Sequence, residues 1–154
     1  MNKKIVLNLL IILSFVALSF AYFVEFILGH EPCNLCKIER IPYIGTIILI
    51  AFLIFTKKCE KSVLILVLLL FIFGAVTSVY HVGIEQGIFN ESLLCELGIN
   101  TNIQNTDELL KSLNKTPISC KDVTFKIFGL SLATFNAVLS ILISYILLIL
   151  VLKK

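Results

Sequence analysis

Residues 63–82 read VLILVLLLFIFGAVTSVYHV, a run of 20 residues without aspartate, glutamate, lysine or arginine. An α-helix needs about 20 mostly apolar residues to cross the hydrocarbon core of a bilayer. Apolar residues make up 58% of the 154-residue chain, which is well above the share in a soluble globular domain. The run at 63–82 therefore predicts a membrane-spanning helix rather than a buried helix of a soluble protein.

Three further apolar runs, at 5–28, 41–56 and 127–152, complete the pattern. The run at 41–56 is short for a span, so its helix must take in residues at its ends or the bilayer must thin locally. Pro42 fits the first turn of that helix, where a missing N–H costs nothing. The sequence predicts one all-α membrane domain, 1–154, built as a four-helix transmembrane bundle.

The lysines predict how the bundle is oriented. Seven of the twelve lysines lie before the first run, between the second and third runs, or after the fourth run: Lys3, Lys4, Lys57, Lys58, Lys61, Lys153 and Lys154. Because basic residues are enriched on the cytoplasmic side, both termini are expected in the cytoplasm, with outer loops at 29–40 and 83–126. The alternative for the first run is a cleaved signal peptide with a small-x-small site ending at Ala21. The apolar run continues seven residues past Ala21, which favours an uncleaved anchor.

Four of the five cysteines fall in the two predicted outer loops. Cys33 and Cys36 lie in the first loop, and Cys95 and Cys120 lie in the second. Disulfides persist outside the reducing cytoplasm, so these cysteines can form two disulfides. A zinc site would have to gather all four thiolates in an oxidising compartment, and no metal is predicted. Cys59 falls on the cytoplasmic side and is expected to have no role.

Cys36 is the thiol that the sequence marks as reactive. A nearby cation or a helix N-terminus lowers the pKa of a thiol, and Arg40 stands four residues on, one turn along the same helix face. Arg40 is also the only arginine and borders the apolar run. Burial of a charge in lipid is costly, so Arg40 either extends to the interface as an anchor or binds an amphiphilic ligand such as a quinone head group.

His81 stands at the outer end of the third run. One interpretation makes it a hydrogen-bond donor or proton carrier for the same quinone, which takes up two protons when it is reduced. The other makes it an ordinary interfacial residue. Glu85 is placed to pair with His81 if the helix continues past Gly83.

The second outer loop contains TDELLKSL at 106–113, in which Thr106 can cap a short helix with three leucines on one face. The pattern fits a helix on the membrane surface and equally a helix packed on the loop itself. No glycine-rich phosphate loop and no basic stripe suited to nucleic acid is present. The net charge of +3 is accounted for by the lysines on the predicted inner side.

Taken together, these motifs resemble the DsbB family of disulfide bond formation proteins over nearly the whole chain. The resemblance is carried by Cys33-x-x-Cys36 followed by Glu39-Arg40, by Tyr80-His81-x-Gly83-x-Glu85, by two cysteines in the second outer loop, and by Phe128-Gly129-Leu130-Ser131 before the last span. The chain differs from many members of that family in having no tryptophan. That difference removes no reacting group.

The resemblance implies an enzyme of the bacterial inner membrane that reoxidises a periplasmic DsbA-like thiol oxidase and passes the electrons to ubiquinone or menaquinone. DsbA has a reduction potential of about −120 mV, so the final acceptor must be a strong oxidant. The resemblance further implies that the partner attacks Cys95 and that Cys120 then attacks Cys33. Cys36, freed as a thiolate, reduces a quinone held beside Arg40 and His81.

Two alternatives from other classes stay open. One is a non-catalytic four-span protein whose outer loops are cross-linked by structural disulfides. Such a protein has no need of an arginine beside Cys36. The other is an oxidoreductase of the vitamin K epoxide reductase type. That type resembles the chain less, because its reactive CxxC lies within a late span whereas Cys33 and Cys36 precede the second.

Overall fold

The computed structural model describes residues 3–56, 60–91, 95, 119–121, 126–127 and 129–152. Its elements, in chain order, are α1 (Lys3–Phe26), α2 (Asn34–Ile38), α3 (Ile41–Thr56), α4 (Glu60–Glu85), β1 (Lys126–Ile127), β2 (Leu130–Ser131) and α5 (Leu132–Leu152). The surface helix predicted at 106–113 and the cysteine at 59 lie outside the described residues.

Within the described part of the chain, four helical stretches are long and apolar enough to cross a membrane: Ile5–Phe26, Asn34–Thr56, Glu60–Glu85 and Leu132–Leu152. This confirms the predicted four-span, mainly helical fold. The short second run is extended at its start, because α2 leads into α3 through a turn at Glu39 and Arg40 and gives a span of 23 residues.

The helix α4 lies at the centre of the bundle, packed against α3 on one side and α5 on the other, while α1 packs against α3. The buried core formed in this way contains Leu10, Tyr43, Ile50, Leu53, Val63, Leu64, Val67, Leu68, Phe71, Ile143, Leu147 and Leu150. Large apolar side chains also cover the outside, as at Phe15 and Phe55, which are 65% and 87% exposed. An apolar exterior on this scale suits a surface that faces lipid.

The first and last helices leave an opening between them. Helix α1 packs against α3 and helix α5 packs against α4, but α1 and α5 make little contact with each other. A cleft lined by residues of both helices, such as Phe20 and Leu139, therefore runs between α1 and α5.

The last span begins at Leu132, later than the predicted 127, because the chain first forms a β-hairpin. In it Lys126 pairs with Ser131 and Ile127 with Leu130. Gly129 has a φ of +83°, a left-handed conformation that glycine adopts without strain. Ser131 then accepts a hydrogen bond on Oγ from the N–H of Thr134 at 3.2 Å, as an N-cap does, and α5 begins.

Candidate active site

Cys33 and Cys36 lie at the start of α2. Cys33 is the N-cap, with extended backbone, and its Sγ accepts a hydrogen bond from the N–H of Cys36 at 3.3 Å. Both cysteines are free, and their Sγ atoms lie 2.8 Å apart. An N–H directed at a sulfur favours the charged form of that sulfur. The N-cap position therefore favours a thiolate at Cys33.

His81, near the end of α4, faces the same sulfur. Its Nε2 atom lies 3.5 Å from Cys33 Sγ, and its Nδ1 atom lies 2.8 Å from Oε1 of Glu39. The sulfur atoms of Cys33 and Cys36 and a ring nitrogen of His81 all lie within 4.8 Å of one another. The side chains of His81 and Glu39 are 3% and 8% exposed, so this contact is shielded from solvent.

These neighbours change the acidity of Cys33. The pKa of the Cys33 thiol is lowered to about 5, first because the Cys36 thiol hydrogen-bonds to its sulfur and then because His81 lies beside it. Burial acts in the opposite direction and is outweighed. At neutral pH the reduced pair therefore carries its negative charge on Cys33.

The structure corrects the predicted pairing of Cys36 with Arg40. The guanidinium instead donates from Nη1 to Oε2 of Glu25 at 2.5 Å and lies over the ring of Tyr22, with 4.8 Å from its carbon to the ring centroid. The reason is the turn between α2 and α3, where the N–H of Arg40 bonds to the carbonyl of Lys37 at 3.2 Å, three residues back. That turn interrupts the helical register on which an i, i+4 contact depends.

The second cysteine pair lies against the first. Cys95 and Cys120 form a disulfide, with Cα atoms 5.9 Å apart. Both are buried in one cluster with Cys33, Leu35 and Ile84, and Cys36, Ile38 and Tyr80 pack on its edge. The fold thus brings together four cysteines that the sequence places in two separate loops.

A cavity of about 760 Å³ opens beside these groups. Its polar end is lined by Cys33, Cys36, Arg40 and His81, and Cys120 also reaches it. Its longer apolar part follows the cleft between α1 and α5, along residues such as Phe20 and Leu139. A mainly apolar cavity with a few polar groups at one end suits an amphiphilic ligand that enters from the bilayer.

Comparison with known proteins agrees with this site. The family model described as "Disulfide bond formation protein DsbB" matches residues 3–150. The chain belongs to the DsbB family. The uncharacterized protein RP370 of Rickettsia prowazekii (strain Madrid E) is 35% identical over 141 residues, which cover 88% of this chain and 81% of that relative. No solved structure matches the chain significantly.

The structure of this DsbB-family protein brings all six predicted site residues to one end of the bundle. Cys33, Cys36, Arg40, His81 and Cys120 line the cavity, and Cys95 is bonded to Cys120 behind them. The pairing of Glu85 with His81 also has a structural basis, since α4 continues to Glu85 and the Oε1 to Nε2 distance is 3.8 Å.

Three polar residues of the site in this DsbB-family protein were not predicted from the sequence. Glu25 binds Arg40, whereas Glu39 and Asn136 extend the contacts of His81. Each of them lies inside a candidate membrane span. Polar and charged residues within a span are costly and are usually paired, so the position of Glu25 and Asn136 in apolar runs is a signal that could have found them. Glu39 precedes the apolar run that begins at 41 and carries no such signal.

Proposed function

We propose that this protein is a membrane thiol:quinone oxidoreductase that reoxidises a periplasmic DsbA-like thiol oxidase. The observation that carries the proposal is that both cysteine pairs lie together at the polar end of a mainly apolar cavity that continues between α1 and α5. A structural role for the disulfides alone leaves such a cavity without a use.

The lysine distribution supports the orientation that this function needs. With Lys61 at the start of α4, and with further lysines at both termini, the end of the bundle opposite the cysteines faces the cytoplasm. The cysteines then face the periplasm of a bacterial inner membrane, where the partner works.

In the proposed exchange the partner's thiolate attacks Cys95. The Cys95–Cys120 bond breaks, a mixed disulfide with the partner forms, and Cys120 leaves as a thiolate. Cys120 then attacks Cys33 of an oxidised Cys33–Cys36 pair, and Cys36 leaves as a thiolate. The burial of Cys33, Cys95 and Cys120 in one cluster supports this order, because thiol exchange requires direct contact between sulfurs.

The second half of the cycle restores the Cys95–Cys120 bond. The partner's second thiol attacks its own sulfur in the mixed disulfide, so the partner leaves oxidised and Cys95 leaves as a thiolate. Cys95 then attacks Cys120 in the Cys33–Cys120 bond, and Cys33 is released. Two electrons have now moved from the partner to the Cys33 and Cys36 pair.

The cavity fits the acceptor that the family implies. A bound quinone, ubiquinone or menaquinone, supplies the oxidising power by accepting two electrons and two protons. Arg40 at the polar end can donate a hydrogen bond to its oxygens, and His81 can donate from Nε2 when it is protonated. The cleft between α1 and α5 suits the apolar tail of the quinone. Cys36 lies at the same end and is the sulfur we assign to electron transfer.

A turnover assay tests the proposal. Purified protein, a reduced DsbA-like partner and a soluble quinone should give one reduced quinone for each partner disulfide formed, followed by the quinone's absorbance. Serine in place of Cys33, Cys36, Cys95 or Cys120 should abolish turnover, while Cys59→Ser should leave it unchanged. Partner oxidation that proceeds without quinone reduction, or full turnover by any of the first four variants, contradicts the proposal.

A further inference from the structure

We propose that Glu39 and Asn136 are positioning residues that hold His81 with its Nε2 atom towards Cys33, so that His81 exchanges a proton with this thiol. This assigns His81 to the sulfur chemistry, beyond the quinone contact predicted from the sequence. It rests on the proposed function only in taking Cys33 as a redox thiol.

Glu39 is the first observation. This carboxylate is buried, with 7% of the residue exposed, inside a candidate membrane span. A buried charge persists only when its oxygens are paired, and both are. Oε1 lies 2.8 Å from Nδ1 of His81, and Oε2 accepts from Nδ2 of Asn136 at 2.9 Å.

The side chain of Asn136, which donates to Glu39, is fixed by further hydrogen bonds. Its Nδ2 also donates to Oγ of Ser78 at 2.7 Å, and its Oδ1 accepts from the hydroxyl of Tyr43. An amide nitrogen has two donors, and both are used here. The reversed amide would place its oxygen against the Glu39 carboxylate, so the network settles which way the side chain points.

These hydrogen bonds determine which ring nitrogen of His81 carries the proton. A carboxylate can only accept, so Nδ1 carries the proton that binds Glu39, and Nε2 is the nitrogen left facing Cys33 at 3.5 Å. A neutral His81 can take the proton from the Cys33 thiol, which leaves a thiolate beside an imidazolium. The same proton returns when Cys33 is protonated. The Glu39 carboxylate accepts the hydrogen bond from Nδ1 and stabilises the imidazolium, as the acid of a catalytic triad does.

Other titratable groups face His81 and must be included in any pH profile. Glu85, on the same helix, has Oε1 at 3.8 Å from Nε2, which is too long for a hydrogen bond. Cys36 lies beside Cys33 on α2, and Arg40 lines the same cavity while bound to Glu25. Of the two carboxylates that face His81, Glu39 and Glu85, Glu39 is the one within hydrogen-bond distance of the imidazole.

The test uses full-length reduced protein in detergent, without partner or quinone. The rate of Cys33 alkylation by iodoacetamide is measured against pH, with the modified site located by mass spectrometry. Glu39→Gln should move the midpoint upward by about one pH unit, because His81 loses its orienting charge. If Glu39 acted on Cys33 only through its charge, Glu39→Gln should move the midpoint downward, since removing an anion near a thiol makes the thiol more acidic. The direction of the shift therefore separates the two explanations.

Three further variants make the result decisive. In a His81→Ala background, Glu39→Gln should add no upward shift, because Glu39 acts through the imidazole. Glu60→Gln removes the same charge from the opposite end of α4 and should leave the midpoint unchanged. Asn136→Ala keeps every charge and should shift the midpoint upward by less than Glu39→Gln, which preserves the test if Glu39→Gln fails to fold.

A downward or absent shift in folded Glu39→Gln, or in folded Asn136→Ala if the first variant does not fold, overturns the inference. So does an upward shift that persists in the His81→Ala background. Because the assay needs neither partner nor quinone, it can succeed even if the turnover assay fails. The two proposals are therefore tested separately.

Discussion

The Nε2 atom of His81 lies 3.5 Å from the Sγ atom of Cys33, across 48 residues of sequence. This contact joins the end of α4 to the N-cap of α2, and it makes Cys33 rather than Cys36 the thiol with a base beside it. The first sulfur of the CxxC pair is therefore the one that rests as a thiolate when the pair is reduced. Cys36 can take over the charge once Cys33 is bonded to another sulfur.

The low pKa of Cys33 predicts how the stability of the reduced protein depends on pH. Its pKa is about 5 in the folded protein against an ordinary value of 9.0. A thiol whose pKa is lower in the folded state than in the unfolded state stabilises the fold, and does so fully at pH values above its ordinary pKa. This stabilisation is lost as the pH falls from about 9 to about 5. Thermal unfolding in detergent should show a larger loss of stability over this window for reduced than for oxidised protein.

The oxidised protein is the matched control, because a Cys33 bonded to Cys36 does not titrate. Equal losses for the two redox forms would mean that the Cys33 thiolate does not contribute to stability.

Removing both thiols that can resolve the mixed disulfide should trap the partner. The variant Cys120→Ser is mixed with a DsbA-like partner that has serine in place of its second cysteine and an activated mixed disulfide on its first. Cys95 displaces the activating thiol and bonds to the partner, and neither Cys120 nor a second partner thiol is left to break the new disulfide. An adduct that resists buffer exchange is expected, and peptide mapping by mass spectrometry should place it on Cys95. A partner bound to Cys33 would reverse the assignment of the two cysteine pairs.

Arg40→Lys should weaken quinone use while sparing partner exchange. Lysine keeps the charge but loses the planar fork that binds Glu25 and lies over Tyr22. Loss of one charged hydrogen bond costs about 1.5–3 kcal/mol, which raises the quinone KM by about one to two decades. Steady-state quinone reduction measures this KM, and single-turnover exchange between Cys95 and the partner should stay near the wild-type rate.

Glu25→Gln is the companion variant, since it leaves Arg40 in place without its ionic partner, and a smaller rise in quinone KM is expected. If Arg40 is only an interfacial anchor, lysine should serve equally well and Arg40→Lys should behave as wild type.

Gly74 marks a close approach between helices that a methyl group should disturb. A Cβ there would lie 2.9 Å from Cγ of Pro42 and 3.5 Å from Oγ of Ser140. The proline ring is rigid, so the helices must shift, and Gly74→Ala should destabilise the fold by about 1–3 kcal/mol. Thermal unfolding in detergent measures the change.

Gly45→Ala provides the comparison. The Cβ added there would meet Cδ1 of Leu70 at 2.7 Å, but this is the far end of a flexible side chain that can rotate away. A Gly45→Ala variant as unstable as Gly74→Ala would show that the proline contact is not the cause.

The sequence alone determined the four spans, because crossing a bilayer depends on the length of an apolar run, and this is a local property. It also determined that two cysteine pairs share one side of the four predicted spans. Local signals were less informative at the edges of the spans. The start of α5 at Leu132 depends on a hairpin turn at Gly129 and a cap at Ser131, which override a continuous apolar run.

Only the tertiary structure decided which charged groups meet. Arg40 binds Glu25 on α1, and the turn before α3 interrupts the helical register on which the predicted contact with Cys36 depends. The chain from Cys33 through His81 and Glu39 to Asn136 joins groups separated by 48, 42 and 97 residues. Such contacts depend on the rotation of each helix about its axis and on how the helices pack. Hydrophobic periodicity does not specify either to within the length of a hydrogen bond.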